Sequence, residues 1–129
     1  MPLLLDTHVF LWWLVDHPRL STESKEAIGD GSTRVFVSAA TLWEAEIKAA
    51  LGRLDLDVEG VDLVAEVTTN GFEELAVTGR YTRTAALLPK HHHDPFDRML
   101  IAQAQIDDLR LVTADRTLQR YDVPLLLIG

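Results

Sequence analysis

Short, mostly apolar runs that end in an acidic residue alternate along this chain with segments of helical pattern. The run Leu3-Leu4-Leu5 is followed by Asp6, and the run at 109–114 is followed by Asp115. Continuous apolar runs of this length are typical of strands buried on both faces of a parallel sheet, and the helical segments supply the crossovers that such strands need. The sequence therefore predicts an α/β fold with a doubly wound parallel sheet flanked by helices. The ligand site of such a fold lies beyond the carboxyl ends of the strands.

Capping residues and glycines divide the rest of the chain into helices and strands. Ser21 and Ser38 each precede a helical pattern, and a serine hydroxyl at that position can accept a free amide hydrogen of the first turn. Helices are predicted at 7–15, 21–28, 39–51 and 61–69, strands at 34–38, within 72–77 and at 125–128, and a further element at 81–88. Strands and helices therefore alternate over the whole sequence.

The stretch HHHDPFD at 91–97 marks the start of another helix. Asp94 can cap its first turn, and proline is tolerated at the first helical position. The residues that follow are apolar over most of the circumference, so this helix is predicted to lie buried against the sheet with only its first turn reaching solvent. Asp94 and Asp97 lie in that turn, where the positive helix end tolerates negative charge. Capping and dipole compensation would explain both residues if no other acids were nearby.

Length and composition predict a single domain spanning residues 1–129. With 129 residues, 47% of them apolar, and no linker-like tract, the chain can form one core and does not require a second. Cysteine is absent, which excludes a disulfide scaffold and a thiolate nucleophile and is compatible with a cytoplasmic protein. The apolar segment 3–15 is interrupted by Asp6 and His8 and is shorter than the ~20 residues of a membrane span. No membrane segment or signal peptide is therefore expected.

The net charge of −8 is unevenly distributed. Residues 1–79 carry 5 Lys and Arg against 14 Asp and Glu, a net of −9, whereas residues 80–129 carry 7 against 6, a net of +1. An acidic surface repels nucleic acid, and the sequence shows no basic stripe. A phosphate substrate would therefore need metal ions and a local basic cluster, for which the candidates are Arg80, Arg83, Lys90, His91 to His93 and Arg98. The acidic surface also suits a basic protein partner.

Carboxylates from separate segments are predicted to converge at one edge of the sheet. They are Asp6 and Asp115 at strand ends, Asp94 and Asp97 at a helix start, and Glu44 on the helix after the second strand. Ionised carboxylates this close repel one another unless a cation neutralises them. Mg²⁺ and Mn²⁺ prefer oxygen ligands, and Mg²⁺ binds one or two carboxylates directly and others through water. Such an ion can activate water and stabilise charge on a phosphoryl oxygen.

Two of these acids also have simple structural explanations. Glu44 and Lys48 are four residues apart, a spacing typical of a solvent-facing ion pair that contributes only a few tenths of a kcal/mol. Asp115 is placed to cap the next short helix. The sequence leaves both explanations open.

Consecutive tryptophans interrupt the pattern of the first helix. Trp12 and Trp13 point about 100° apart on a helix, so they cannot face the same core. Either both are buried at opposite edges of the fold, or one of them forms a protein–protein contact.

Four segments resemble the PIN-domain ribonucleases, and most closely the VapC-type toxins of bacterial toxin–antitoxin pairs. They are LLLDTHVFLWW (3–13), VSAATLWEAEIKAALGRL (37–54), LPKHHHDPFDRMLIAQA (88–104) and LVTADRTLQRY (111–121). The resemblance implies a sheet of about five parallel strands and a Mg²⁺- or Mn²⁺-dependent endoribonuclease that acts on RNA. It also implies a VapB-like antitoxin that blocks the site, a homodimer and a larger toxin–antitoxin complex. Which RNA is cut is not specified.

Site residues are carried over from the resemblance position by position. The acidic catalytic residues are matched by Asp6, Glu44, Asp97 and Asp115. Of these, Asp6, Asp97 and Asp115 are the expected metal ligands, and Glu44 and Asp94 are further candidates. Candidates for holding substrate or water are Thr7, Thr113 and Arg98. The apolar segment 10–13 is expected to receive an apolar antitoxin helix, whose basic tail would reach the acids.

Three other classes of acidic protein fit the sequence less well. A haloacid-dehalogenase-like phosphatase requires a second Asp two residues after the first, where this chain has His8. A receiver-like domain should offer an acidic pair near the first strand and a Lys after a late strand, and neither is evident. A catalytically silent module that binds a basic partner would not need the whole set of Asp6, Glu44, Asp97 and Asp115. A metal-dependent RNA cleavage assay separates this last alternative from an enzyme.

Overall fold

The computed structural model describes residues 1–54 and 56–129, which form a five-stranded sheet and its flanking helices. The strands are β1 (Leu3–Leu5), β2 (Val35–Ser38), β3 (Glu73–Leu75), β4 (Arg110–Thr113) and β5 (Leu125–Leu127). The α-helices are α1 (Thr7–Leu14), α2 (Thr22–Gly29), α3 (Ala39–Ala50), α4 (Leu63–Thr69), α5 (Gly79–Leu87) and α6 (Pro95–Asp107), and a 3₁₀-helix spans Arg116–Arg120. None of the helices in the described residues is long and apolar enough to cross a membrane.

Strand order places β1 at the centre of the sheet. The order is β3-β2-β1-β4-β5, and every pairing is parallel. Leu5 pairs with Val37 of β2 on one side and with Val112 of β4 on the other. The chain therefore builds the sheet first to one side of β1 and then to the other, and the order reverses between the carboxyl ends of β1 and β4. The predicted doubly wound parallel sheet of five strands is confirmed.

Two apolar cores cover the two faces of the sheet. Leu3 and Leu5 belong to the core formed with α1 to α4, whereas Leu4 belongs to the core beneath α6. This division follows from the strand geometry, since successive side chains point to opposite faces. On α6, Leu100 and Ile101 are buried while the first turn is partly exposed, as the apolar pattern predicted.

Several element ends differ from the predictions by one or two residues. The helix predicted from residue 61 begins at Leu63, because Asp62 caps it and accepts the amide of Ala65 at 3.1 Å. The segment 72–77 contributes only three residues to β3, which lies at the edge of the sheet. The element predicted at 81–88 is α5.

Both tryptophans of α1 are packed within the fold. Trp12 is only 6% exposed, and its ring stacks on that of His17 with 5.6 Å between centroids. Trp13 donates a hydrogen bond from Nε1 to Oδ1 of Asn70 at 3.0 Å. Phe10, Leu11 and Trp12 are buried and Trp13 is partly exposed, so most of the segment 10–13 packs within the fold, and the antitoxin contact expected there stays a prediction.

A different tryptophan lies at the surface. Trp43 of α3 is 65% exposed, and it meets the ring of Phe96 on α6 edge to face at 5.6 Å between centroids. These two rings help to line an apolar pocket between α3 and α6. The helical pattern predicted α3 but could not show which of its faces the neighbouring elements leave uncovered.

Candidate active site

Asp6 and Asp115 follow neighbouring strands at the edge where the strand order reverses. The amide of Asp6 still belongs to the sheet and donates to the carbonyl of Val112 at 3.0 Å. Each carboxylate caps the helix after its strand, with Asp6 accepting the amide of Val9 at 2.9 Å and Asp115 that of Thr117 at 3.0 Å. The cap considered for Asp115 is therefore present. Asp6 is buried, whereas Asp115 is exposed.

The first turn of α6 brings two further carboxylates to the same edge. Asp94 caps the helix, and its Oδ1 accepts the amides of Phe96 at 2.9 Å and Asp97 at 3.2 Å. The predicted helix start is therefore confirmed. Asp97 follows Asp94 on the same turn, and its side chain is 25% exposed. Capping fixes the Asp94 carboxylate, and the rigid first turn carries Asp97.

Glu44 reaches the site from α3 and is held there by two neighbours. Thr7 donates from Oγ1 to Oε1 of Glu44 at 2.5 Å, and Nζ of Lys48 lies 2.7 Å from Oε2. The ion pair considered for Glu44 and Lys48 is present, but it does not face solvent on the Glu44 side, because Glu44 is only 4% exposed. Thr7, predicted to hold substrate or water, is engaged in positioning Glu44.

The pKa of Asp97 is raised by burial and by repulsion from the neighbouring carboxylates. Burial is the largest cause that raises this pKa from its ordinary 3.8 to about 7, followed by the charges on Asp94, Asp6, Glu44 and Asp115. Burial also raises the pKa of Asp6. The structure therefore brings the five predicted carboxylates into one electrostatic cluster, which we call the acidic cluster.

The chemistry of the acidic cluster fits a hard divalent cation. Carboxylate oxygens are the ligands that Mg²⁺ and Mn²⁺ prefer, and a cation would neutralise the charge that raises the pKa of Asp97. Within residues 1–54 and 56–129, no three His, Asp or Glu side chains form a ready-made metal site.

Thr113 lies between the two carboxylates at the strand ends. It is fully buried, and its Oγ1 accepts the amide of Asp115 at 3.0 Å. Its hydroxyl also lowers the pKa of Asp6 and so offsets part of the increase that burial causes. Thr113 therefore orients and stabilises carboxylates, a role that differs from the predicted contact with substrate or water.

Arg98 does not join the acidic cluster. Its guanidinium donates to the backbone carbonyls of Ala85, Leu88 and Pro89 at 3.0, 2.8 and 2.9 Å. These carbonyls lie at the end of α5, where a helix leaves its last carbonyls without partners. The substrate-binding role predicted for Arg98 is therefore not supported, and Arg98 acts as a structural link between α6 and the end of α5.

His92 lies beside the acidic cluster, and Tyr121 contacts His92. Nε2 of His92 lies 3.7 Å from Oδ2 of Asp97, and Nδ1 lies 2.8 Å from the hydroxyl of Tyr121. In the part of the chain that the structure describes, Nε2 is buried without a hydrogen-bond partner. The sequence indicated His92 only as a member of a basic cluster, and it gave no signal for Tyr121, which is 29 residues away.

Substitution of Asp94 separates its capping role from metal binding. We expect Asp94→Asn to change the free energy of unfolding by less than about 0.5 kcal/mol, because Asn caps as well as Asp, and Asp94→Ala to cost about 1 kcal/mol. Urea titration measures both values. The resemblance implies RNA cleavage, and if Asp94 only caps the helix, cleavage by the Asn variant should stay within about threefold of wild type, a loss of less than about 0.7 kcal/mol of transition-state stabilisation. A deep loss of cleavage with unchanged stability would show instead that Asp94 is a metal ligand.

A parallel sheet with clustered carboxylates at its switch point is typical of α/β proteins that bind a metal ion beyond the strand ends. The PIN domain family matches this chain over residues 3–124. The chain therefore belongs to the PIN domain family, as its motifs predicted.

Individual relatives agree with this assignment. Over 122 residues the chain is 30% identical to Ribonuclease VapC22 of Mycobacterium tuberculosis, a match that covers 94% of this chain and 92% of the relative. A chain of the crystal structure of VapBC2 from Rickettsia felis bound to a promoter DNA fragment superposes with a TM-score of 0.74 at 15% identity, over 100% of both chains. A chain of the DNA-bound VapBC structure from Salmonella typhimurium gives 0.72 at 16% identity, over 98% of this chain and 97% of the other. These structural similarities confirm the fold.

Proposed function

We propose that this protein is a metal-dependent endoribonuclease of the VapC toxin type, which hydrolyses phosphodiester bonds of single-stranded or looped RNA by attack of water. The observation that carries the proposal is the acidic cluster, in which burial and four neighbouring carboxylates raise the pKa of Asp97. The similarity to Ribonuclease VapC22 supports RNA as the substrate. A single domain, residues 1–129, would provide the whole site.

Each side chain of the acidic cluster has a role in this proposal. Asp6, Asp97 and Asp115 would hold Mg²⁺ or Mn²⁺, with Glu44 and Asp94 contributing negative charge around it. The bound ion would activate water and stabilise the charge that develops on the phosphoryl oxygens.

The neighbours of the cluster keep its carboxylates in position. Thr7 and Lys48 occupy one oxygen each of Glu44, which fixes the orientation of this carboxylate. Thr113 holds the backbone of Asp115 and stabilises ionised Asp6. The site is therefore supported by hydrogen bonds before any ligand arrives, which reduces the reorganisation needed for reaction.

We also propose that a VapB-like antitoxin blocks this site in a toxin–antitoxin complex, with the toxin as a homodimer. Two of the structures that share the fold come from VapBC complexes. The net charge of −9 on residues 1–79 suits a basic antitoxin segment, and the acidic cluster is a place where an antitoxin Arg could bind in the absence of metal.

Cleavage of an end-labelled RNA by the purified protein, free of any partner, tests the proposed activity. We expect cleavage with Mg²⁺ or Mn²⁺, a loss of more than about 100-fold in excess EDTA because the ion supplies both water activation and charge stabilisation, and products with 5′-phosphate and 3′-hydroxyl ends. Asp97→Asn protein purified in parallel controls for contaminating ribonucleases. Cleavage that persists in EDTA, or that leaves 2′,3′-cyclic phosphates, would contradict the proposal.

A further inference from the structure

A groove beside the acidic cluster is lined by basic side chains. It lies between α1 and the segment that follows α3, and its volume is about 320 Å³. Its apolar lining is provided by Leu11, Trp12, Leu54 and Leu56, and its polar lining by His8, His17, Arg19, Lys48 and Arg53. We call this feature the basic groove. Among the described residues that line it, none is acidic.

The basic groove differs in charge from the rest of residues 1–79. Residues 1–79 contain five Lys and Arg in all, and three of them, Arg19, Lys48 and Arg53, line the groove. The other two are paired with acids elsewhere, Lys25 with Asp16 and Arg34 with Glu73. The sequence showed no basic stripe, because Arg19 is far from Lys48 and Arg53 along the chain and only the fold brings the three cations together. The groove is therefore a local site for an anion on an acidic protein.

Lys48 connects the basic groove to the acidic cluster. It lines the groove and at the same time lies 2.7 Å from Oε2 of Glu44. His8 also lines the groove, and it follows Asp6 by two residues on the first turn of α1. An extended anionic ligand could therefore occupy the groove and the acidic cluster together.

The two arginines are suited to phosphate binding. The guanidinium of Arg19 lies 4.6 Å from the centroid of the Trp12 ring, which is itself stacked on His17. Stacking of this kind restricts the side chain before a ligand binds, so less entropy is lost on binding. Arg19 and Arg53 are both exposed, and neither forms an ion pair within the described part of the chain. Within residues 1–54 and 56–129, their guanidinium groups can therefore donate to phosphate oxygens.

We propose that the basic groove binds the sugar-phosphate backbone of the RNA strand that is cut, on one side of the phosphate at the acidic cluster. This inference rests on the proposed function, since it assigns a substrate subsite next to the same site. RNA is favoured over the basic tail of an antitoxin because these side chains would repel that tail, whereas a single strand that enters the acidic cluster carries regularly spaced phosphates past the groove. The apolar lining can also accept the face of an unstacked base.

Binding of a labelled single-stranded RNA in EDTA tests the groove without any need for cleavage. The test variant is Arg19→Gln/Arg53→Gln, and the matched control is Arg34→Gln/Arg110→Gln, which removes the same charge where β2 and β4 begin, at the opposite edge of the sheet. We expect the groove variant to bind at least about tenfold more weakly, because two charge-assisted contacts are lost. We expect the slope of log affinity against log salt to fall in magnitude by about 1.4, since each contact with a single strand contributes about 0.7. The control should match wild type in both.

Cleavage kinetics provide a second readout. With Mn²⁺ or Mg²⁺, the groove variant should lose kcat/KM mainly through KM, because Arg19 and Arg53 would hold RNA away from the bond that is cut. Equal RNA affinity in the groove and control variants would overturn the proposal. The proposal would also be overturned if the Arg19→Gln/Arg53→Gln substitutions weakened binding of a glutamate-rich decapeptide but left RNA affinity unchanged. The groove would then bind an acidic protein segment. Groove-dependent RNA binding by a wild type that never cleaves would contradict the proposed nuclease while supporting the groove.

Discussion

Replacing Asp97 by Asn is expected to reduce the rate of RNA cleavage by more than about 10²-fold. It is also expected to raise the melting temperature in EDTA at pH 8. Asn has nearly the shape of Asp and carries no charge, so the variant loses the proposed metal ligand and also the unfavourable ionisation of a carboxyl whose pKa is raised to about 7 by burial and by the neighbouring carboxylates. Asp6→Asn should act in the same direction, since Asn can still accept the amide of Val9 as a helix cap. Thermal denaturation and RNA cleavage measure the two effects.

The pH dependence of this stabilisation follows from the direction of the shift. Asp97 ionises near its ordinary 3.8 in the unfolded chain and at about 7 in the fold. The protonated carboxyl is therefore favoured by folding. Its contribution to the free energy of unfolding is fully present below pH 3.8 and is lost as the pH rises to about 7. The advantage of Asp97→Asn over wild type should accordingly be absent near pH 4, grow up to about pH 7 and then level off. At 1.36 kcal/mol per pKa unit the plateau is at most about 4 kcal/mol, and partial exposure to solvent reduces it.

Asp122→Asn is the matched control, because Asp122 is exposed and lies outside the acidic cluster. It should leave both cleavage and the melting temperature unchanged. Added Mn²⁺ should stabilise wild type, by up to ~2.7 kcal/mol at a concentration of 100 times Kd, and should stabilise Asp97→Asn much less. An Asp97→Asn protein that is less stable than wild type in EDTA at pH 8, with an undiminished response to Mn²⁺, would show that Asp97 is a structural residue only.

Replacing Arg98 by Gln is expected to destabilise the fold by about 1.5–3 kcal/mol, which is the range for hydrogen bonds that involve a charged group. The guanidinium links α6 to three carbonyls at the end of α5, at Ala85, Leu88 and Pro89. Lys can satisfy fewer of them, because an ammonium group is a point donor without the planar fork of Arg, so Arg98→Lys should fall between Gln and wild type. Urea titration measures the free energies of unfolding.

An exposed arginine nearby controls for the change of charge in this experiment. Arg120→Gln removes the same charge from the end of the 3₁₀-helix, where the side chain is exposed, and should change stability by less than about 0.5 kcal/mol. If Arg98→Gln were as stable as wild type but bound RNA more weakly, the substrate role predicted from the sequence would be correct after all.

The positions of the carboxylates could be predicted because they depend on local pattern. Asp6 and Asp115 each end an apolar strand, and Asp94 precedes proline at a helix start, so parallel topology alone brings them to one edge. The orientation of Arg98 could not be predicted, since an Arg in the first turn of a helix has the same local sequence whether it faces a ligand or the preceding loop. The contact of His92 with Tyr121 joins positions that no periodicity relates.

The basic groove was missed for a similar reason. Arg19 follows α1, Lys48 lies on α3 and Arg53 follows it, so a linear scan for clustered cations finds only isolated residues in an acidic segment. The sum of charges over residues 1–79 is dominated by the acids, and it hides a local positive potential. Overall charge therefore gave no indication of this groove.

The central place of β1 also determines when during synthesis the site can form. The ribosome releases β1 first, but the partner of Leu5 on one side is Val112 of β4, so this pairing closes a loop that contains most of the domain. Closing so long a loop is entropically costly and slow compared with forming local contacts. Asp115 comes even later than β4, and a nascent chain that has not yet exposed it cannot assemble all five carboxylates. A growing chain on the ribosome is therefore expected to be inert toward the RNA around it until nearly the whole domain has emerged.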